Sequence, residues 1–311
     1  MEIIEIKEYK SLPYGENVFQ EAAISPLECG LEYEILSDND ALEYLDFLNF
    51  TRVVEVLGEF FDVNTVAIAK SNMLSSVALG SSVDNAFEKA IKCDPVNLCS
   101  STVGFSKNVT LECAKQLCAM KIRNVISVGF ENEALDYLVK NTDINIIRIK
   151  SPLQEMLGFS TSGVKVTPFG YLVQEQNKSK LTKSSFKVCG KTKPTQQMAE
   201  DAIFAWKVAK YTRTNSAVIA KDLAVCAISQ GYINGADAVE DAMDFACENS
   251  KDAVLAIDGF VENEEIVNAA IQGRIGLIIE AGDGAESKKI AKITDKYNIV
   301  LIATGIRNYR Y

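Results

Sequence analysis

Aliphatic runs alternate with helical stripes along this chain, and the alternation occurs twice. From Asp40 to Phe61, apolar Leu42, Leu45, Leu48, Val53, Leu57 and Phe61 recur near helical spacing, and they lead into the continuous run Thr65-Val66-Ala67-Ile68-Ala69. In the second half, Pro194-Thr195 opens a helix with Met198, Ala202, Trp206 and Ala209 on one face, before Ala217-Val218-Ile219-Ala220. Each run ends in a lysine, Lys70 or Lys221, and each lysine is followed ten positions later by a glycine, Gly80 or Gly231. Helical patterns over 83–91 and 236–245 come next, then an apolar segment carrying Asp94 in one half and Asp258 in the other. Strand-like 125–128 and 277–279 lead to Gly129 and Gly282, and each half closes with a helix and a last strand, 144–147 or 299–302.

Aliphatic strands alternating with helices predict an α/β fold with buried, largely parallel sheets covered on both faces. The repetition predicts two such layers related by internal duplication. Between them, residues 152–193 break the pattern. Gly158, Ser160, Thr161, Ser162 and Gly163 precede the strand-like Tyr171-Leu172-Val173-Gln174, and Lys178, Lys180, Lys183, Lys187, Lys191 and Lys193 make the stretch basic. The expected division is 1–151, a small α+β insert at 152–193, and 194–311.

Composition narrows the function classes. A chain of 311 residues that is 48% apolar and 24% charged can build one or two good-sized cores. A net charge of −10 disfavours nucleic acid and anionic lipid as general partners, so a phosphate-bearing ligand needs a local cationic site. No apolar run reaches membrane-spanning length, and Met1-Glu2-Ile3-Ile4-Glu5 is acidic where a signal peptide is basic; a cytoplasmic protein is expected. Eight cysteines, Cys29 among them, are scattered singly without a C-x-x-C pair, and histidine is absent, so no metal site is expected.

Four blocks carry a resemblance. The stretch from Phe204-Ala205-Trp206-Lys207 through Asn215-Ser216 to Lys221-Asp222 is the longest, joined by Tyr14-Gly15-Glu16-Asn17, Asp94-Pro95-Val96 and the segment Thr304-Gly305-Ile306-Arg307-Asn308-Tyr309-Arg310-Tyr311. Together they resemble, over essentially the whole chain, the AICAR transformylase domain of the bifunctional purine-biosynthesis enzyme. The resemblance implies two cytidine-deaminase-like three-layer subdomains plus a small α+β part, and an intertwined homodimer with sites built from both chains. It also implies formyl transfer from 10-formyl-tetrahydrofolate, as co-substrate, to the amine of AICAR on the way to IMP. The family's cyclohydrolase domain is expected to be absent, with ring closure residing elsewhere.

The resemblance assigns roles residue by residue. Formyl transfer to a delocalised amine needs a base near the amine and a cation or donor near the developing oxyanion. The family's Lys-His pair falls on Lys70-Ser71, which keeps the cation and replaces the base with a neutral hydroxyl. Tyr14, Asn215 and Arg307 match substrate-binding positions, Asn215 facing the carboxamide and Arg307 the phosphate. Asp258 matches the carboxylate that meets the pterin. Arginines of the family are replaced by Pro13 and Gly235, histidines by Asn308 and Tyr311, a phenylalanine by Tyr309, and small loop residues by 97–101 and 73–76. Lys70 at a strand's carboxyl end would suit a crevice in an α/β sheet. The Gly282-Asp283-Gly284 turn lacks the third glycine of a dinucleotide fingerprint, and the ligand motifs of a zinc deaminase are missing. Two readings stay open: a formyltransferase with a substitute base, and a non-catalytic paralogue that binds a nucleotide, a folate or a protein partner.

Overall fold

The computed structural model describes residues 9–27, 30–37, 42–141, 143–158, 163–175, 177–182, 185, 187–282, 284 and 286–311. Met1 to Glu5, Cys29, Asp40, Ser160, Thr161, Ser162, Lys183 and Asp283, singled out above, lie outside the described residues. The chain divides into two compact units, one of Met1–Leu74, Gly80–Glu88 and Pro95–Phe159, the other of Ser75–Leu79, Lys89–Asp94 and Ser160–Tyr311.

The first half of the chain opens with an antiparallel ribbon, β1 (Lys10–Leu12) with β2 (Ala22–Ile24), and a short strand β3 (Tyr33–Ile35). There follow α1 (Tyr44–Glu59), β4 (Asn64–Lys70), β5 (Met73–Gly80), α2 (Val83–Cys93), β6 (Thr102–Phe105), α3 (Leu111–Ala119), β7 (Asn124–Ser127), α4 (Asn132–Asn141), β8 (Asn145–Ile149) and the one-turn α5 (Glu155–Gly158). Strands β6, β7 and β8 are parallel, whereas β4 runs antiparallel to β6 and β3 antiparallel to β8. The sheet is therefore mixed, and the expectation of a largely parallel one holds only for its centre.

Helix α1 lies on bare backbone of β6. A Cβ on Gly104 would sit 1.9 Å from Val53 Cγ1, so only glycine lets the helix approach this closely. The buried face of α1 is Asp46, Asn49, Phe50, Val53, Val54, Val56 and Leu57, while Leu45 of the predicted stripe is 39% exposed. The stripe turns because Asp46 goes inward, where its carboxylate accepts from the Arg123 guanidinium at 2.8 and 3.0 Å and from Asn124 Nδ2 at 2.8 Å. A buried charge is tolerated when it is paired and hydrogen-bonded in this way.

In the second half, β9 (Gly163–Thr167) and β10 (Gly170–Gln174) form a separate antiparallel hairpin. After β11 (Lys187–Val188) come α6 (Gln196–Ala209), β12 (Ser216–Lys221), β13 (Ala224–Gln230), α7 (Gly235–Ala246), β14 (Val254–Ile257), α8 (Glu264–Gln272), β15 (Leu277–Glu280), α9 (Ser287–Lys296) and β16 (Val300–Ala303). Helix α6 starts where Thr195 predicts: its hydroxyl accepts the Met198 N–H at 3.1 Å. The strand order is β11-β16-β15-β14-β12-β13, with β14, β15 and β16 parallel and β12 antiparallel to β14. Alternate residues Ala217, Ile219, Leu255, Ile257, Ile278 and Leu301 form one buried cluster with Val239, Ile266, Val267 and Ile290 of α7, α8 and α9. The intervening residues Val218, Ala220, Val254 and Ala256 line the opposite face, toward α6, which completes three layers.

Both halves run helix, two strands, helix, strand, helix, strand, helix, strand. The lysine-to-glycine spacing has a local cause that the pattern did not reveal. Ser71 and Asn72 (φ 53° and 61°) and Asp222 and Leu223 (φ 53° and 58°) are consecutive left-handed residues, so each lysine enters a two-residue turn of the kind that suits a twisted hairpin. The returning strands β5 and β13 lead to the glycines. At Gly80 a Cβ would lie 2.3 Å from the Ala86 nitrogen, and Gly231 has φ +79°.

Candidate functional site

Three of the expected binding residues gather at one edge of the second unit, where β14, β15 and β16 end and β12 begins. Asp258 follows β14 and is 1% exposed; its Oδ1 accepts the Ser216 N–H at 3.1 Å, its main-chain carbonyl accepts the Asn308 N–H at 2.8 Å, and its Oδ2 is buried with no hydrogen-bond partner. Burial pushes the Asp258 carboxyl above its ordinary value, against the opposing pull of the Thr214 hydroxyl and backbone N–H groups. Asn215 opens β12. Its amide donates both hydrogens to backbone, to Tyr232 O at 3.1 Å and Ile233 O at 2.9 Å, which leaves Oδ1 as the acceptor available to a ligand.

The segment 304–311 folds back over this edge. Gly305 N donates to Ala281 O at 2.8 Å, Thr214 N to Arg310 O at 2.9 Å, and Arg310 N to Thr214 Oγ1 at 2.7 Å. The fold thereby carries Arg307 to the surface with its Cζ 5.3 Å from the centre of the Phe260 ring and 5.8 Å from that of Tyr309. Both rings lie within cation–π distance of the guanidinium, and the residue is exposed. Asn308 is buried, its Nδ2 donating to Trp206 O at 3.2 Å, so at this position the side chain braces the segment.

Lys70, Ser71 and Tyr14 belong to the first unit. Because β4 runs antiparallel to β6, the end of β4 lies level with the amino ends of β6–β8; Ala69 pairs with Thr102, the first residue of β6. Lys70 therefore lies at the opposite end of these strands from the crevice, which forms at the carboxyl ends of parallel strands. Lys70 Nζ donates to Asn97 O at 3.1 Å and Cys99 O at 2.9 Å, bonds that brace the loop before β6. Ser71 is exposed in its turn. The Tyr14 hydroxyl bonds the Glu43 carboxylate, which holds its pKa above the ordinary value.

The pairing of Asp94 with Asp258 is also corrected. Asp94 follows α2, and the residue that follows β6 as Asp258 follows β14 is Ser106. Ser106 Oγ accepts the Thr65 N–H at 2.9 Å, the same bond that Asp258 makes to Ser216. Sequence reading missed Glu280, a carboxylate 1% exposed at the end of β15 whose Oε2 accepts the Val261 N–H at 2.6 Å. The aliphatic run 277–279 signalled a buried strand, yet nothing in it tells a buried terminal acid from a solvated one. Gly282 of the glycine turn has φ +87°.

Elsewhere in the second unit a groove of about 690 Å³ between α7 and α8 shares no residue with this edge. Its acidic lining, Glu240, Asp244, Glu248 and Glu265, opposes a phosphate ligand. Among the described residues no group of three or more histidine, cysteine, aspartate or glutamate side chains could hold a metal ion. Burial pushes the Cys93 and Cys113 thiols up to about 12 and that of Cys226 to about 11, which disfavours their thiolate forms.

A family model described as AICARFT/IMPCHase bienzyme matches residues 2–244. The chain belongs to this family. A bifunctional purine biosynthesis protein PurH from Thermoanaerobacter sp. (strain X514) is 32% identical over 306 residues, covering 97% of this chain and 59% of the relative. PurH of Aquifex aeolicus is 30% identical over 317 residues, covering 100% of this chain and 61% of its own length, and that of Dictyostelium discoideum is 29% identical over 308 residues, 96% and 56%. The chain thus spans about 60% of the length of the curated relatives it matches.

Proposed function

We propose that this chain is an AICAR-transformylase-like protein of purine biosynthesis that binds AICAR and a formyl-folate and performs the transfer weakly or not at all. The observation that carries the reading is the contrast between its two sets of site residues. Asp258, with one carboxylate oxygen buried and unpartnered, suits an N–H donor such as a pterin ring presents, and Arg307 between its two rings suits a phosphate. Bound 10-formyl-tetrahydrofolate would supply the formyl carbon. On the chemical side, Lys70 is engaged by two backbone carbonyls, and Ser71 is an exposed hydroxyl that is no base near neutral pH. Losing general-base help costs about 10²–10⁴ in rate. This second feature also favours the alternative, a paralogue that only binds a nucleotide, a folate or a protein partner.

A homodimer belongs to the same reading. The hairpin β9–β10 exposes Val166, Phe169, Tyr171, Leu172 and Val173, and a two-stranded hairpin is marginal without further packing. Residues 152–193 carry seven lysines against two glutamates in a chain of net charge −10, so this stretch complements the acidic remainder of a second copy. Descent of the two halves from one duplicated unit, and a cytoplasmic location, complete the proposal. Among the described residues, no helix is long and apolar enough to cross a membrane.

The test combines titration calorimetry with AICAR and with a folate and an assay of tetrahydrofolate release, for wild type, Lys70→Ala and Ser71→His. Binding of both ligands with little turnover is expected, and Ser71→His alone should not restore transfer because Pro13 and Gly235 stand where the family has arginines. Strong wild-type turnover abolished by Lys70→Ala would overturn the weak-transfer reading. Failure to bind either ligand would leave the partner-binding alternative.

A further inference from the structure

Glu280 is buried at the end of β15, and the reading above gives it no task. Its Oε2 accepts the Val261 N–H at 2.6 Å, a short contact for an N–H donor. Its main-chain oxygen accepts both the Thr304 N–H at 2.9 Å and the Thr304 hydroxyl at 3.0 Å. A single residue thus ties down the segment 259–261 after β14 and the segment beginning at 304 after β16. Those two segments carry the rings that flank Arg307: Phe260 on one, Tyr309 on the other.

The fit around these rings is close. The ring edge and hydroxyl of Tyr309 lie 2.6 Å from where a Gly259 Cβ would be, and the Phe260 ring lies 2.9 Å from the corresponding point on Gly284. The Ala281 N–H, next to Glu280, donates to Gly259 O at 2.7 Å. A loop packed on bare glycine backbone has little room to drift, provided its own backbone stays anchored. Burying a carboxylate is costly compared with an apolar side chain of the same volume, so Glu280 is poorly explained as filler. What it supplies is a directed side-chain acceptor for the Val261 N–H, next to Phe260.

We propose that Glu280 is a positioning residue for Arg307. By accepting the Val261 N–H its carboxylate fixes Phe260, and Phe260, together with Tyr309 packed on Gly259, fixes the plane in which the guanidinium meets an anionic group, of which a phosphate monoester is the class that fits. Only the identity of the anion rests on the proposed function; the positioning of Arg307 does not.

The experiment reads the two parts separately. In protein labelled with ¹⁵N-arginine, the Arg307 Nε–H resonance, assigned by its loss in Arg307→Lys, should be shifted by the ring currents of Phe260 and Tyr309. Phe260→Leu should reduce the shift, and Glu280→Met should reduce it to a similar extent, while Glu280→Gln, which keeps an oxygen acceptor, should retain most of it. AICAR affinity should fall roughly tenfold in Glu280→Met, with no further loss on adding Arg307→Ala, while the affinity of the nucleoside lacking the phosphate stays unchanged. A folded Glu280→Met protein with the Arg307 resonance unmoved overturns the proposal, as does a loss of affinity additive with Arg307→Ala. If Glu280→Met does not fold, Glu280→Gln decides, and loss of the ring shift there overturns it. Wild-type protein that binds no AICAR sinks the functional reading alone, because the resonance still reports on the positioning.

Discussion

The backbone N–H of Ser216 donates to Oδ1 of Asp258 at 3.1 Å, while the second oxygen of that carboxylate is enclosed without a partner. Burial outweighs the opposing pull of the Thr214 hydroxyl and the backbone N–H groups, and the Asp258 pKa is raised in the folded protein from 3.8. Between 3.8 and the raised value the folded state binds more protons than the unfolded one, so this group stabilises most below 3.8 and loses that contribution as pH rises through its folded pKa. Asp201, raised mainly by burial, acts with the same sign. Asp258→Asn is expected to remove this group's descending contribution to the urea midpoint as pH rises above 3.8, so the variant gains on wild type with rising pH. Parallel profiles for the two proteins would contradict the assignment.

Gly104→Ala should be severely disruptive for a strand glycine, because its Cβ would fall 1.9 Å from Val53 Cγ1. Overpacking of this kind costs roughly 1–3 kcal/mol. Val53→Ala removes the obstructing methyl groups, so the double variant should regain part of the stability lost by Gly104→Ala. Additive losses in chemical denaturation would show that the helix rests on the strand elsewhere.

Asp201 anchors the turn after Lys221, accepting the Asp222 N–H at 3.0 Å and the Leu223 N–H at 2.7 Å. In the first half Asn49 Oδ1 does the same for the Asn72 N–H at 2.8 Å. Asp201→Ala leaves two turn donors without their acceptor and is expected to cost about 2–3 kcal/mol, whereas Asn49→Ala, losing one bond, should cost about 1 kcal/mol. Equal losses in thermal or urea unfolding would contradict this ranking.

Much of the fold is legible in the chain because fully buried strands announce themselves as aliphatic runs, as 65–69, 217–220 and 277–279 do. Helix α6 was equally plain, with Thr195 at its start and Trp206 on its inner face. Strands β5 and β13 were not, since Ser75, Ser76, Ser229 and Gln230 interrupt their apolar character and the turns before them carry no glycine. The inward turn of Asp46 is invisible for another reason: it depends on Arg123 and Asn124, 77 and 78 residues away. Asn215, Asp258 and Arg307 could be chosen only through the motifs that contain them. Their common edge is a product of strand direction, which also displaces Lys70 from the crevice its sequence position suggested.

The segment 304–311 has one more consequence, for the order of events during synthesis. Thr214, Asp258 and Ala281 receive their bonds from residues made after every element they cap, so the Arg307 edge is assembled only when that segment has been laid down. A nascent chain can form the β12–β14 pairing beforehand, yet it lacks the segment that carries Arg307. An anionic ligand that engages this edge would then bind only the completed second unit and protect it by mass action, by about 2.7 kcal/mol at a hundredfold excess over Kd. Ligand supply would thereby become a check on completed folding.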